Sequence, residues 1–201
     1  MNRKLQALAM TLGVMLAGSA SALEQGDWLI RVGAHHVDPK SDNHPVVNVD
    51  SGTTLTFTVS YFLTESWSLE LLAALPFSHD IDLNADGSKV GKTDHLPPTL
   101  SAQYHFLPNQ KFRPYVGAGV NWTMFFEEKT RGALAGNSLK LDDSFGLAAQ
   151  AGFDYEINDK WLFNAEVRYI DIDTDAELGG ADIGSVEIDP WLVGVSLGFT
   201  F

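Results

Sequence analysis

Residues 191–201 read Trp-Leu-Val-Gly-Val-Ser-Leu-Gly-Phe-Thr-Phe. Trp191, Val193, Val195, Leu197, Phe199 and Phe201 share one parity, and Leu192, Gly194, Ser196, Gly198 and Thr200 share the other. Successive side chains of a strand point to opposite faces, so one face is large and apolar and the other mostly small. A regular strand running to a terminal Phe fits the closing seam of a transmembrane β-barrel, whose lipid face is apolar and edged with aromatics.

The opposite end agrees. Asn2-Arg3-Lys4 is a basic segment, residues 5–17 form an apolar run, and Ala20-Ser21-Ala22 is a small-residue cleavage site. That is the pattern of a secretory signal peptide. Cleavage is expected after Ala22, leaving residues 23–201 as one outer-membrane barrel domain. The whole chain of 201 residues carries a formal charge of −13, and the leader holds bases but no acid, so the exported part is more acidic still. Such a surface excludes nucleic acid as a partner. No cysteine is present, which removes disulfides, thiol chemistry and thiolate metal sites. Beyond the leader no apolar run approaches the roughly 18 residues of a spanning helix. A membrane span would then be a closed barrel, because only closure pairs every backbone group of a sheet.

Eight alternating segments predict the wall: residues 27–37, 53–62, 67–81, 95–106, 113–126, 143–155, 161–173 and 187–201. Each suits a tilted strand of ~9–11 residues across a bilayer. Short connections at 63–66, 107–112 and 156–160 alternate with long ones at 38–52, 82–94, 127–142 and 174–186. Short periplasmic turns, longer outer loops and an all-β, eight-stranded antiparallel transmembrane barrel follow. Charge supports the register. Leu55, Phe57, Val59 and Tyr61 share a parity, as do Trp67, Leu69, Leu71, Ala73 and Leu75. Arg31, Glu70, Arg113, Asp154, Glu166 and Arg168 all fall on the opposite parity. A basic side chain facing mid-bilayer lipid would cost ~2–4 kcal/mol. A soluble barrel would show the reverse pattern.

Several segments resemble the signature stretches of the OmpW family of Gram-negative outer-membrane proteins: Leu69-Glu-Leu-Leu-Ala-Ala-Leu-Pro-Phe77, His95-Leu-Pro-Pro-Thr-Leu100, Phe112-Arg-Pro-Tyr-Val-Gly-Ala-Gly119, Asp171-Ile-Asp-Thr174 and Asp189-Pro-Trp191. The resemblance covers essentially all of residues 23–201. It implies an eight-stranded barrel in the outer membrane with a narrow hydrophobic channel, and uptake of small hydrophobic solutes.

The lumen parity divides into two zones. Arg31, Arg113 and Arg168 are balanced by Glu70, Asp154 and Glu166, and charges in a low-dielectric lumen need partners, so a salt-bridged plug is expected. Above it Leu72, Pro76, Pro97, Phe125, Ile170 and Leu192 predict an apolar funnel, the usual lining of a small-molecule pocket. A two-residue hairpin at Asp86-Gly87 would set Pro76 directly opposite Pro97 on the lumen face. Proline donates no N–H to a ladder, so Pro76, Pro97 and Pro98 would leave a weak seam for lateral release into the membrane.

Other patterns carry less. Asp82-Leu-Asn-Ala-Asp-Gly87 matches half of a calcium loop, but Thr93 stands where the bidentate Glu belongs; an acidic hairpin tip is expected. His35, His36, His44, His79 and His95 gather toward the outer rim without close ligand spacing, so solvated histidines rather than a metal site are expected. Ser78 and His79 are adjacent and point to opposite faces of a strand, so no catalytic residue, enzyme activity or cofactor is predicted. Seven acids and no base follow Tyr169, which suits contact with divalent ions at the lipopolysaccharide surface. Phe201 is the expected recognition end for the barrel-assembly machinery. The competing reading is a structural or receptor-type barrel whose acidic loops meet phage, host or lipopolysaccharide without transport.

Overall fold

The computed structural model describes residues 23–40 and 43–201; the expected leader, residues 1–22, lies outside them. The described strands are β1 (Trp28–Asp38), β2 (Val47–Val49), β3 (Gly52–Phe62), β4 (Trp67–Ala74), β5 (Phe77–Leu83), β6 (Lys89–Leu96), β7 (Thr99–His105), β8 (Phe112–Thr130), β9 (Leu139–Leu141), β10 (Ser144–Glu156), β11 (Trp161–Ile170), β12 (Asp173–Leu178), β13 (Ala181–Glu187) and β14 (Trp191–Thr200). Eight of them, β1, β3, β4, β7, β8, β10, β11 and β14, pair antiparallel in that order, and β14 returns to β1. The closing ladder runs from Leu29↔Thr200 to Asp38↔Trp191. Below it Trp28 and Phe201 exchange two backbone hydrogen bonds of 3.0 Å. Closure leaves the eight-strand order with no terminal edge strand.

Alternation decides what each face meets. Leu55, Leu71, Val120, Phe145, Leu147, Val193 and Leu197 lie exposed on the outside, Phe145 by 77%. Arg31, Glu70, Arg113, Asp154, Glu166 and Arg168 are buried inside. An apolar exterior around an ionic interior is stable in lipid and not in water. Aromatic contacts mark both edges of the band. Trp28–Tyr61, Trp67–Tyr104 and Trp161–Phe199 ring the periplasmic end at 5.0–5.1 Å. Trp122–Phe145 and Tyr169–Trp191 ring the outer end at 5.6 and 5.3 Å. Such belts sit at the two membrane–water interfaces.

Above the outer belt the expected organisation changes. The long connections are not plain loops: β2, β5 and β6 continue onto the upper part of β8 as one wing, and β13, β12 and β9 form a second small sheet. The single strand expected at 67–81 is two, β4 and β5, and the one expected at 95–106 is preceded by β6 and broken at Pro97-Pro98. Nor does Pro76 face Pro97. Leu83 donates to Ser88 across a four-residue turn, in which Gly87 takes φ +68°, and the ladder slips again between Ile81 and Asp82. Phe77 therefore faces His95, one residue away from the register a two-residue turn would give.

Candidate functional site

The lower and middle lumen is filled by one polar network. Arg31 donates to Asp154 through Nε and Nη2 at 3.0 and 2.7 Å, and through Nη1 to Glu70 at 3.0 Å and Ser60 at 3.2 Å. Arg168 Nη2 reaches Glu70 at 2.7 Å and Glu166 at 3.1 Å. Glu70 is thereby shared between two guanidinium groups. Glu166 also accepts from Tyr115 at 2.8 Å and lies 3.0 Å from His35 Nε2. Asn164 joins Tyr115, Asp154 and Ser196 to the same network. These contacts link β1, β3, β4, β8, β10, β11 and β14. Desolvating so many ions is tolerable only because nearly every one has a counter-charge in hydrogen-bond range. Arg113 pairs with Glu156, close to the periplasmic mouth, and lies across the ladder from Asp154.

Small residues make the crossing possible. Gly194 on β14 leaves the space that the His35 ring occupies, and Gly152 on β10 does the same for the Tyr115 hydroxyl. Below the network Leu23, ahead of β1, turns back and packs on Leu29, Phe62 and Leu162. The turn is held by Gly26 N–H donating to Phe62 and Glu24 N–H donating to the Asp27 carboxylate.

Above the network the lining is apolar. Phe125, Ile170 and Leu192 come together with Val37, Phe77 and Ile188 in one buried cluster. Leu72 is buried on the lumen side but belongs to neither apolar cluster. Pro97 is buried, whereas Pro76 is exposed and does not line the lumen. Between the two outer sheets a narrow apolar slot of about 50 Å³ is lined by residues such as Val49, Ile81, Val90, Leu139, Ala176 and Val186. It leads down onto the cluster, with which it shares Val49, Leu141, Ala176, Val186 and Ile188.

One part of the wall lacks a ladder. β4 and β7 pair as far as Leu72↔Thr99, and β5 and β6 begin at Phe77↔His95. Four residues on one side and three on the other lie between those pairs. The flanking ladders continue: Leu75 N–H donates to Leu55, and Trp122 N–H donates to Pro98. The extra residue reverses the faces of β5, so Phe77 and His79 point inward where unbroken alternation from Leu72 would have put Ser78. Outside, a depression lined by Leu71, Pro98, Leu100, Val120, Trp122 and Phe145 lies against this interruption.

The histidines correct the sequence reading most. His36 and His44 are accessible, but His35, His79 and His95 are buried and not solvated. His79 and His95 stack at 4.9 Å and 17°, with Phe77 on His95 at 5.4 Å. Among the described residues no group of three or more His, Asp or Glu side chains is arranged to hold a metal ion. Sequence reasoning missed Glu156, His35 and Tyr115 as members of the lumen. His35 and Tyr115 share parity with Arg31 and Arg113, so that signal was available; Glu156 lay one residue beyond the expected strand.

Comparison with known proteins agrees with this architecture. The model of a family described as the OmpW family matches residues 24–201. Outer membrane protein W of Vibrio cholerae is 44% identical to the chain over 94% of it and 95% of that protein. Outer membrane protein AlkL of Ectopseudomonas oleovorans is 30% identical over 90% of the chain and 85% of that protein. The crystal structure of OprG from Pseudomonas aeruginosa superimposes with a TM-score of 0.81 at 37% identity, covering 90% of the chain and 99% of that structure.

Proposed function

The chain belongs to the OmpW family, and from that premise we propose that this outer-membrane barrel takes up small hydrophobic molecules at the cell surface and releases them sideways into the membrane. A solute would enter the apolar slot between the two outer sheets and move onto the cluster around Phe125, Ile170 and Leu192. The slot is narrow, so the sheets must part for a solute to pass. Below, the network of Arg31, Glu70, Asp154, Glu166 and Arg168 acts as a plug, because a greasy solute cannot replace its ion pairs. The arrangement leaves the seam as the exit.

The observation that carries this reading is the missing ladder between residues 73–76 and 96–98, at the level where the apolar lining ends. No inter-strand hydrogen bond of that interval need break for the two strands to part. Pro76, Pro97 and Pro98 keep it so, since none of them can donate an N–H. The test is a cysteine pair at Leu75 and Leu96, on facing strands across the seam. Oxidation should stop uptake of a fluorescent hydrophobic probe into the wall of proteoliposomes, and reduction should restore it. Unchanged uptake with the crosslink formed removes lateral release from consideration.

Two partners belong to the same reading. The acidic outer strands β12 and β13 would meet lipopolysaccharide through divalent ions, and Phe201, exposed at the closing seam, would be read by the barrel-assembly machinery. No catalytic role is proposed: Ser78 is exposed and His79 buried, on opposite faces of β5.

A further inference from the structure

Phe77, His79, His95 and Phe125 form a ladder of rings between the apolar slot and the seam. Phe77 and His95 are nearly parallel, as are His79 and His95, and Phe125 closes on His95 at 5.8 Å. All four are buried. The two histidines are distinguished by their hydrogen bonding. His79 Nδ1 bonds the backbone carbonyl of Asp50. A carbonyl only accepts, so Nδ1 carries the proton and Nε2 of the neutral ring is a bare lone pair. That Nε2 is buried and has no hydrogen-bond partner. Burial holds His79 below the usual imidazole range, against the opposing pull of its hydrogen bond to the Asp50 carbonyl and of the Asp50 and Asp94 charges, so the ring is neutral at pH 7 and Nε2 remains an acceptor.

We propose that this ladder is a selectivity site for planar aromatic solutes bearing one hydrogen-bond donor, such as phenols and indoles, with His79 Nε2 as the acceptor. Flat rings gain from offset or edge contact with other rings, which saturated chains cannot match. A donor on the solute satisfies a buried acceptor that is otherwise unpaired, and leaving such a group unpaired is costly. An aromatic that can only accept, such as quinoline, would set one lone pair against another. The inference rests on the uptake reading for its biological use, but the site can be tested without transport.

The protein would be held in lipid nanodiscs with ¹⁵N-labelled histidine and titrated separately with 2-naphthol, naphthalene, quinoline and decane. The expected result is a shift of the His79 Nε2 resonance by 2-naphthol, and binding about two- to twelve-fold tighter than that of naphthalene, the range of one net hydrogen bond. His79→Phe keeps a ring in place and should bring 2-naphthol down to the level of naphthalene. His95→Phe retains Nε2 and should preserve the difference, which guards against a folding defect in the first variant. Quinoline binding as tightly as 2-naphthol, or 2-naphthol leaving the His79 resonance unmoved, overturns the proposal. Uptake of naphthalene into proteoliposomes is a separate readout: if it does not exceed that of empty liposomes while the His79 shift stands, the conduit reading fails and the site survives.

Discussion

The α-carbon of Gly194 lies so close to the imidazole of His35 that a Cβ there would stand 2.2 Å from the ring carbon Cδ2. The absence of a side chain on β14 is what lets His35 lie flat across the lumen and reach Glu166.

Gly194→Ala should therefore displace His35 and cut its contact with Glu166. Overpacking of this kind costs roughly 1–3 kcal/mol, read as a lower midpoint in guanidinium unfolding of the lipid-reconstituted barrel. In a His35→Ala background the same substitution should cost much less, because the ring it collides with is gone. Equal costs in both backgrounds would place the clash elsewhere.

Asp154→Leu leaves Arg31 with Glu70 as its remaining carboxylate and strips a bidentate partner from a buried cation. Breaking a buried pair on one side costs about 3–5 kcal/mol. Replacing both members, Arg31→Met with Asp154→Leu, should recover a large part of that loss. Unfolding free energies of the two variants decide the matter.

Acid should loosen the outer wing before the barrel. Burial lowers His79 from its ordinary value and lowers His95 to about 3, with the facing His79 adding to the effect. A histidine whose folded pKa is depressed contributes stability that is full above its unfolded value near 6.5 and is lost as pH falls from there toward the folded value. Amide exchange in β5 and β6, corrected for intrinsic rates, should accelerate between pH 7.5 and 5 while β10 and β11 stay protected. His95→Phe should flatten the response.

Val195→Arg, on the lipid face of the closing strand, should cost about 2–4 kcal/mol if its position is near the bilayer midplane. The loss would appear in reconstituted unfolding measurements.

Phe201→Ala separates recognition from stability. Its backbone hydrogen bonds with Trp28 do not need the ring, so refolding in detergent should be little changed. Outer-membrane yield in cells should fall several-fold, measured by surface labelling, if the ring is read during assembly.

The wall was legible in the sequence because lipid imposes a two-residue period with no exceptions for charge. Parity alone places Arg31, Glu70 and Arg168 inside, although it does not name their partners. What alternation cannot report is a place where it stops. Leu75 and Pro76 add one residue to a strand whose neighbour adds none, and nothing local in Ala-Ala-Leu-Pro-Phe states which side of the break Phe77 will face. The turn at Asn84–Gly87 compounded this, since Asp-Gly suits a two-residue hairpin and the chain closes a four-residue one at Leu83 and Ser88. His79 turns inward for the same reason, whereas His95 keeps the unbroken parity of Pro97 and Thr99. Polar residues near a rim suggest water, yet both rings are buried in a stack with Phe77 and Phe125.

β8 is the strand that crosses this break unaltered, 19 residues that pair with β7 below and β6 above. On the other side of the seam the wing and the wall keep different registers. The two halves can therefore change independently over evolutionary time. A lengthened turn or a new lining residue in β5 and β6 need not be accommodated by the membrane-spanning ladder of β4 and β7. Sequence change in the outer wing is in this way insulated from the lipid-facing wall by the two registers on either side of the seam.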